Sequence, residues 1–523
     1  MAEIDDFRIT RNDYKSKINK QGKKDKYKNF KQSTYFIYKK REGKQRVDIN
    51  SSGNINYIKI NTNKNCFFKS QYEINDNQGY LFIKEKYKNE NSVLLSFFNY
   101  SKIKQLLHYI NFIFFIIFIL PINSSYIELT INGPSKSKIF YENRGRENGY
   151  CPEARIPDDI QINDVSQSIK TSEYTFNLTI NTVKLIYNTR LKNMNCFFYL
   201  CSNITKINFS FFDSSELNAI NSLVHTCTSL KEIDFTDFDT SRVTSFTNFF
   251  ESCVSLEKLD LSNFVTTNVR NMNYMFLNCI SLKSVNLSSF VTTRVTTMIE
   301  MFKSCEQLIS LDLSNFVTSS LTDINYMFQG CKNLVSLKLS NFDTSKVKSM
   351  KFMFENCHSL VSVDLSNFVT TQVTDMSCMF QNCFSLVSMD LSNFETTIKL
   401  NFIGSMFNNC TSLEYINISK MVTTGVKNMD FMFFNCISLT SINLNNFDIS
   451  EVTWIESMFE GCTNLEYINL KNAEEKQEMN YLNIFRGIPE NIVICLIEEK
   501  TPILTNLIKN KTCYNIDCSD DWK

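Results

Sequence analysis

Cysteine returns in this chain at a nearly fixed interval. Cys201, Cys227, Cys253, Cys279, Cys305, Cys331, Cys357, Cys383, Cys410, Cys436 and Cys462 are each 26 residues apart, except for one step of 27 from Cys383 to Cys410. Apolar residues follow each cysteine at +3, +6 and +8, as at Leu256, Leu259 and Leu261. A period of this length means stacked copies of one supersecondary unit, a solenoid. That moves the functional expectation from an enzyme to a binding surface.

The unit from Cys253 to Cys279 shows what each copy holds. Leu259, Leu261 and Asn263 alternate with Lys258, Asp260 and Ser262, the pattern of a strand with one buried face. Val269, Met272, Met275, Phe276 and Cys279 then fall within an arc of about 120° on a helical wheel. The spacing therefore predicts a short amphipathic helix, with Thr266 and Thr267 placed to cap its first turn.

The strand half resembles the leucine-rich repeat. The whole unit, as in Met353-Phe354-Glu-Asn-Cys357-His-Ser-Leu360-Val-Ser-Val363-Asp-Leu365-Ser-Asn367-Phe368, resembles the BspA-type leucine-rich repeat of bacterial and protist surface proteins. The likeness runs over about residues 191–470. It implies an α/β solenoid, with a parallel sheet on one face and short helices on the other, and a cell-surface adhesion or host-interaction role. One departure is visible. Asn263, Asn315, Asn341, Asn367 and Asn393 stand two residues after the last leucine, where the general pattern has three.

Five segments follow from this frame. Residues 1–104 are basic and rich in Lys and Asn, and are expected to be loosely structured. Residues 105–127 carry no charge and are long enough to span a bilayer as a signal-anchor or an internal signal peptide. Residues 128–190 hold strand and turn signals and read as a small β-rich N-terminal cap. Residues 191–470 are the repeats, and 471–523 an irregular C-terminal cap. The chain has no methionine between Met1 and Met194, so export from a start just before the apolar run is not open in this reading frame.

Charge divides at the same place. Residues 1–104 hold 23 Lys+Arg against 11 Asp+Glu, whereas the remainder holds 32 against 43. Lysines precede the apolar run, so the positive-inside rule puts the N-terminus in the cytoplasm and the repeats outside the plasma membrane. The basic segment suits anionic lipid, and no nucleic-acid motif accompanies it.

Three roles compete for the recurring thiols, of which Cys253, Cys279, Cys305, Cys331 and Cys357 are typical. Buried packing is favoured, because free cysteine behaves as a small hydrophobe. Disulfides between neighbouring units are second, although eleven is odd and no pairing scheme is singled out. Metal binding is weakest, with no C-x-x-C and only His108, His225 and His358. Outside the ladder, some of Cys151, Cys196, Cys495, Cys513 and Cys518 are expected to pair in an oxidising compartment.

No catalytic motif or phosphate loop is present, so neither an enzyme nor a cofactor is expected. The candidate binding face is the outward strand column Asp234, Asp260, Asp312, Lys338, Asp364 and Asp390, with Tyr415 and Tyr467 beside it. Its partner is expected to be a protein or glycan on another surface. Candidate glycosylation sequons include Asn177, Asn208, Asn286, Asn417 and Asn510. The reading is therefore a membrane-anchored extracellular recognition protein. An intracellular leucine-rich scaffold or adaptor is the alternative.

Overall fold

A unit repeated every 26 residues can satisfy its backbone in two ways. It can bond within itself, as a helix does, or to the equivalent residues one unit away. This chain takes the second route almost throughout. The computed structural model describes residues 125–142, 151, 155–475 and 479–509 with their side chains. Outside these it describes the backbone of seven further strands.

Six of those strands lie in the first of two compact units, residues 1–122. β1 (Arg8–Thr10), β2 (Thr34–Lys40) and β3 (Gly43–Ile49) form one antiparallel sheet, and β4 (Phe68–Asn75), β5 (Tyr80–Tyr87) and β6 (Val93–Asn99) another. Within the second of these sheets, Tyr80–Tyr87 pairs in register with both of its neighbours.

The second unit is a β-solenoid of about eleven turns with almost no helix. At its start stand β7 (Ser125–Asn132), β8 (Ser135–Lys138), β9 (Asp159–Ile162), β10 (Val165–Ser166), β11 (Glu173–Phe176) and β12 (Ile180–Tyr187). β7 pairs antiparallel with β13 (Ile204–Asn208), which in turn pairs in parallel with β14 (Glu232–Asp234). The antiparallel sheet thus covers the open edge of the first turn, as a solenoid end requires.

The rungs that follow are three-residue strands: β15 (Lys258–Asp260), β16 (Ser284–Asn286), β17 (Ser310–Asp312), β18 (Ser336–Lys338), β19 (Ser388–Asp390), β20 (Tyr415–Asn417), β21 (Ser441–Asn443), β22 (Tyr467–Asn469) and β23 (Val493–Cys495). The last bonds to β24 (Tyr514–Asn515). One helix, α1 (Pro502–Ile508), buries Leu504 and Ile508, and the Glu475 carboxylate accepts the free amides of Ile503 and Leu504 at its start.

The expected helices on the opposite face are absent, and the α/β description is corrected accordingly. In place of a helix, the segment Met272–Cys279 alternates two kinds of bond. The amides of Met272, Tyr274, Phe276 and Asn278 donate to Thr297, Ile299, Met301 and Lys303 in the next turn. Those of Leu277 and Cys279 donate three residues back, to Tyr274 and Phe276. Tyr274 and Asn278 sit at positive φ, 60° and 58°, which no α-helix allows. The reason is spacing. Rungs of a sheet lie about 4.8 Å apart, whereas a helix with its side chains is about 10 Å across, so one helix per turn does not stack at rung distance. Here the turn side is itself a ladder. Parallel bridges run without a gap from Ser245 through Asn271, Thr297, Asp323, Ser349, Asp375, Phe402, Asn428 and Trp454 to Asn480.

The strand side, expected as one continuous sheet, is also different. β15–β16, β17–β18 and β19–β20 are separate pairs, and Ser362–Asp364 forms no strand. The two sides are unequally spaced. Ring centroids along Phe264, Phe290, Phe316 and Phe342, at the exit of the strands, are 6.2–6.5 Å apart. Along Phe276, Phe302 and Phe328, on the turn side, they are 5.1 and 5.8 Å apart. The inward residues Ile233, Val285 and Val363 are only half-buried, whereas β21, β22 and β23 pair without a gap.

Thr266 is a ladder residue and not a helix cap. It belongs to a buried column with Thr240, Thr292, Thr318 and Thr344. Each hydroxyl donates to the carbonyl 25 residues on, and for Thr240, Thr266, Thr318 and Thr344 it also accepts that residue's amide. The asparagines two places after the leucine likewise serve the backbone. The Asn367 amide bonds Leu339 O at 3.0 Å and Phe342 O at 2.8 Å, and Asn393 repeats this on Leu365 and Phe368.

The coil continues one turn beyond Leu470. Asn483 and Gly487 hold the two positive-φ corners, and β23 pairs with β22. Ile488 stands where the next cysteine would fall, which hides this turn from the period.

The 27-residue turn places its extra residue between Phe394 and Leu400, where Ile398 projects into solvent. The next turn carries Gly425 at a position held elsewhere by Asn268, Arg294, Lys346 or Gln372. A Cβ on Gly425 would meet the Ile398 carbonyl oxygen at 2.2 Å. Gly425→Ala is therefore expected to cost about 1–3 kcal/mol through backbone displacement. A melting curve unchanged from wild type would refute the close approach.

Candidate functional site

Strand alternation sets the outward column. Lys258, Asp260, Ser284, Asn286, Ser310 and Asp312 are exposed, with Leu259 and Leu311 buried between them. An open trough of about 310 Å³ runs over β15 and β16, lined by Lys258, Leu259, Asp260, Ser284, Val285 and Asn286.

The acids of this column are tied into the coil. Oδ1 of Asp234, Asp260, Asp312, Asp364 and Asp390 each accepts the backbone amide two residues on, a tight turn that ends the strand. Asn286 donates to Asp260 at 2.9 Å, and Lys338 meets Asp312 at 2.9 Å. Hydrogen bonds from Ser314, with help from Lys338, hold the Asp312 carboxyl down to about 2. The column therefore has a structural role in addition to any recognition.

The two tyrosines separate. Tyr415 is 58% exposed in a column where the neighbouring turns carry the serines Ser388 and Ser441. Tyr467 is 7% exposed, packed under Val493 and Cys495 of the extra turn, with the Cys495 sulfur 3.4 Å from its hydroxyl. It does not belong to the exposed face.

The ladder thiols are buried and unpaired. Each of those from Cys227 to Cys462 donates to a phenylalanine or valine carbonyl of the preceding turn, as Cys279 does to Phe250 at 3.1 Å and Cys331 to Phe302 at 3.2 Å. Burial pushes Cys279 and Cys331 up to about 12, far from the thiolate that reacts or binds metal. Folded protein is expected to leave these thiols unlabelled by an alkylating reagent, and unfolding without reductant to expose them. Mass-spectrometric mapping with two labels checks this, and disulfide-linked peptides from consecutive turns would overturn it. The flanks behave differently. Cys151 and Cys196 form a disulfide that ties the N-terminal sheet to the first turn, and Cys495 is also disulfide-bonded.

His358 packs against Phe384 at 4.8 Å, while the neighbouring Cys357 thiol donates to Phe328 O. His225 lies 3.5 Å from Glu251, and its burial lowers its pKa. Neither histidine forms a dyad with a thiol. Among the described residues no group of three or more His, Cys, Asp or Glu side chains is placed to hold a metal ion.

The sequons fall in unlike settings. Asn177 is exposed in the bend between β11 and β12. Asn208, Asn286 and Asn417 lie on the strand face, each accepting an amide two residues on. Asn510 lies outside the described residues, as do residues 105–124 of the uncharged run. Ser125, Tyr126 and Ile127 at the end of that run belong to β7. Among the described residues no helix is long and apolar enough to cross a membrane.

A helical reading of the segment hides the column on the opposite side as a surface. It includes Phe402 and Trp454, 41% and 49% exposed. The signal was present at eight residues before each cysteine, once that position is read as outward.

A family model described as a Mycoplasma protein of unknown function, DUF285, matches three overlapping stretches, residues 192–311, 298–414 and 387–491. Together they span more than half of the chain and all of the regular coil. No curated protein matches the chain.

Proposed function

We propose that this chain, which belongs to the DUF285 family, is a non-catalytic extracellular recognition protein whose solenoid is displayed at the cell surface. The observation that carries the reading is the contrast between its thiols. Among the described residues, Cys151 and Cys495 in the caps and Cys196 in the first turn are disulfide-bonded, whereas every ladder thiol is shielded by the core. Cap disulfides suit an oxidising compartment, and burial protects the remaining thiols there. The BspA-type likeness of the whole repeat unit supports an adhesive role. The uncharged stretch 105–124, after a basic segment, would anchor the chain with the N-terminus inside. Exposed Asn177 and Asn286 would then be accessible sequons.

Long, regular and polar faces favour extended, multivalent contact over a single tight pocket. Protease and antibody accessibility on intact cells tests the reading. Repeats digested from outside, with residues 1–104 protected, are expected. Repeats protected until lysis, with Cys151 and Cys196 reduced, would replace it by an intracellular scaffold.

A further inference from the structure

Recognition needs side chains that differ from a uniform background, and the turn side supplies them late in the coil. The unbroken ladder there runs Phe402, Asn428, Trp454, Asn480 in successive turns. Aromatic and amide alternate. At about 4.8 Å per rung, the two aromatics stand roughly 9.6 Å apart along the axis. Phe402 is 41% and Trp454 49% exposed, so both rings present area to solvent.

The groups beside them are hydrogen-bonding groups held in place. Asn428 donates to Asp430 Oδ2 at 3.1 Å, and Asn480 donates to Glu456 Oε2 at 3.0 Å. Asp430 also accepts the Glu456 amide at 2.7 Å, which links the two turns. Gly404 keeps the space open, because a Cβ there would meet Asn428 Oδ1 at 2.1 Å. Burial raises the Asp430 pKa, so a hydroxyl donor arriving beside it offsets a desolvation already incurred.

We infer that the Phe402–Asn428–Trp454–Asn480 column binds a linear β-1,4-linked glycan lying along the solenoid axis. This rests on the recognition role proposed above and names the ligand class for one of its faces. In such a glycan each pyranose ring is turned over relative to its neighbour, so every second ring repeats its orientation. A two-rung repeat of aromatic platforms matches that disaccharide repeat. The C–H face of a sugar ring stacks on the electron-rich face of an aromatic ring. Its hydroxyls then meet Asn428, Asp430 and Glu456. The same carboxylates disfavour polyanions such as nucleic acid or sulfated chains. An α-1,4-linked chain coils and loses the register.

The test uses the full chain carrying Trp522→Phe, so that Trp454 is the single indole. Cellohexaose and chitohexaose are titrated against its fluorescence, with maltohexaose as the α-linked comparator. A saturable change with a β-linked hexamer and none with maltohexaose is expected. Phe402→Ala should weaken binding about tenfold, as loss of one stacking platform does. Circular dichroism confirms that the variant is folded. No saturable change with either β-linked hexamer, an equal response to maltohexaose, or unchanged affinity in Phe402→Ala would each overturn the inference. Cells that lose adherence on Phe402→Ala without any glycan binding would also overturn it and point to a protein partner, leaving the surface role intact. Repeats inaccessible on intact cells would instead remove the surface role.

Discussion

Leu311→Asp should unfold much of the coil, at a cost of several kcal/mol. Leu311 is the inward residue of β17, 5% exposed and packed in the continuous core. An aspartate there is buried without a cationic partner, and cavity formation adds to the desolvation. The adjacent Asp312 faces solvent, where its contact with Lys338 is screened. Asp312→Ala should therefore cost less than about 0.5–1 kcal/mol. Chemical denaturation of both variants reads the difference. Equal shifts would mean that inward and outward residues have been exchanged. Because each turn contacts only its neighbours, the damage should also spread unevenly, with proteolysis nearest turn 311 appearing first.

The second large effect belongs to the threonine ladder. The Thr344 hydroxyl donates to Val369 O at 2.8 Å and accepts Val369 N at 2.7 Å, both inside the corner of the coil. Thr344→Val keeps the shape and removes both bonds. It leaves a part-buried amide and carbonyl without that partner, an expected loss of about 1–3 kcal/mol. Thr344→Ser should recover most of it. The same column holds a control. The hydroxyl of Thr370 is buried with no hydrogen-bond partner, in the turn before the one-residue insertion. Thr370→Val should be close to neutral or slightly stabilising. A loss at Thr370 as large as that at Thr344 would show that side-chain shape, and not backbone bonding, sets the value of the column.

Much of this protein follows from its period. The 26-residue spacing requires stacked turns, and the alternation around Leu259 and Leu311 requires that these point inward and Asp260 and Asp312 outward. Burial of the thiols follows from the same register, since each recurs among residues that must all be buried together. The helix does not follow. Apolar residues at Met272, Met275, Phe276 and Cys279 suit one helical face, but they suit a pair of tight turns equally well. What separates the two is where the backbone amides bond, and that depends on the turn above. One local sign did exist. The residue before the cysteine is asparagine or glycine in seven of the eleven units, as at Asn278, Gly330, Asn356 and Gly461, types that tolerate the left-handed region at low cost, although Leu200, Thr226, Ser252 and Ser304 adopt it too.

Other features were decided only by tertiary contacts. The strand face divides into pairs from β15 to β20 and is continuous from β21, and no single unit encodes it. Tyr415 and Tyr467 occupy equivalent positions in their units, yet one is exposed and the other lies under the final turn. Thr344 and Thr370 are likewise equivalent in sequence, but the inserted residue leaves one of them without a partner. The period determines which residues face inward, because burial repeats with the turn. It does not determine what each residue meets, because that neighbour lies 25 or more residues away and differs at the ends and at the insertion.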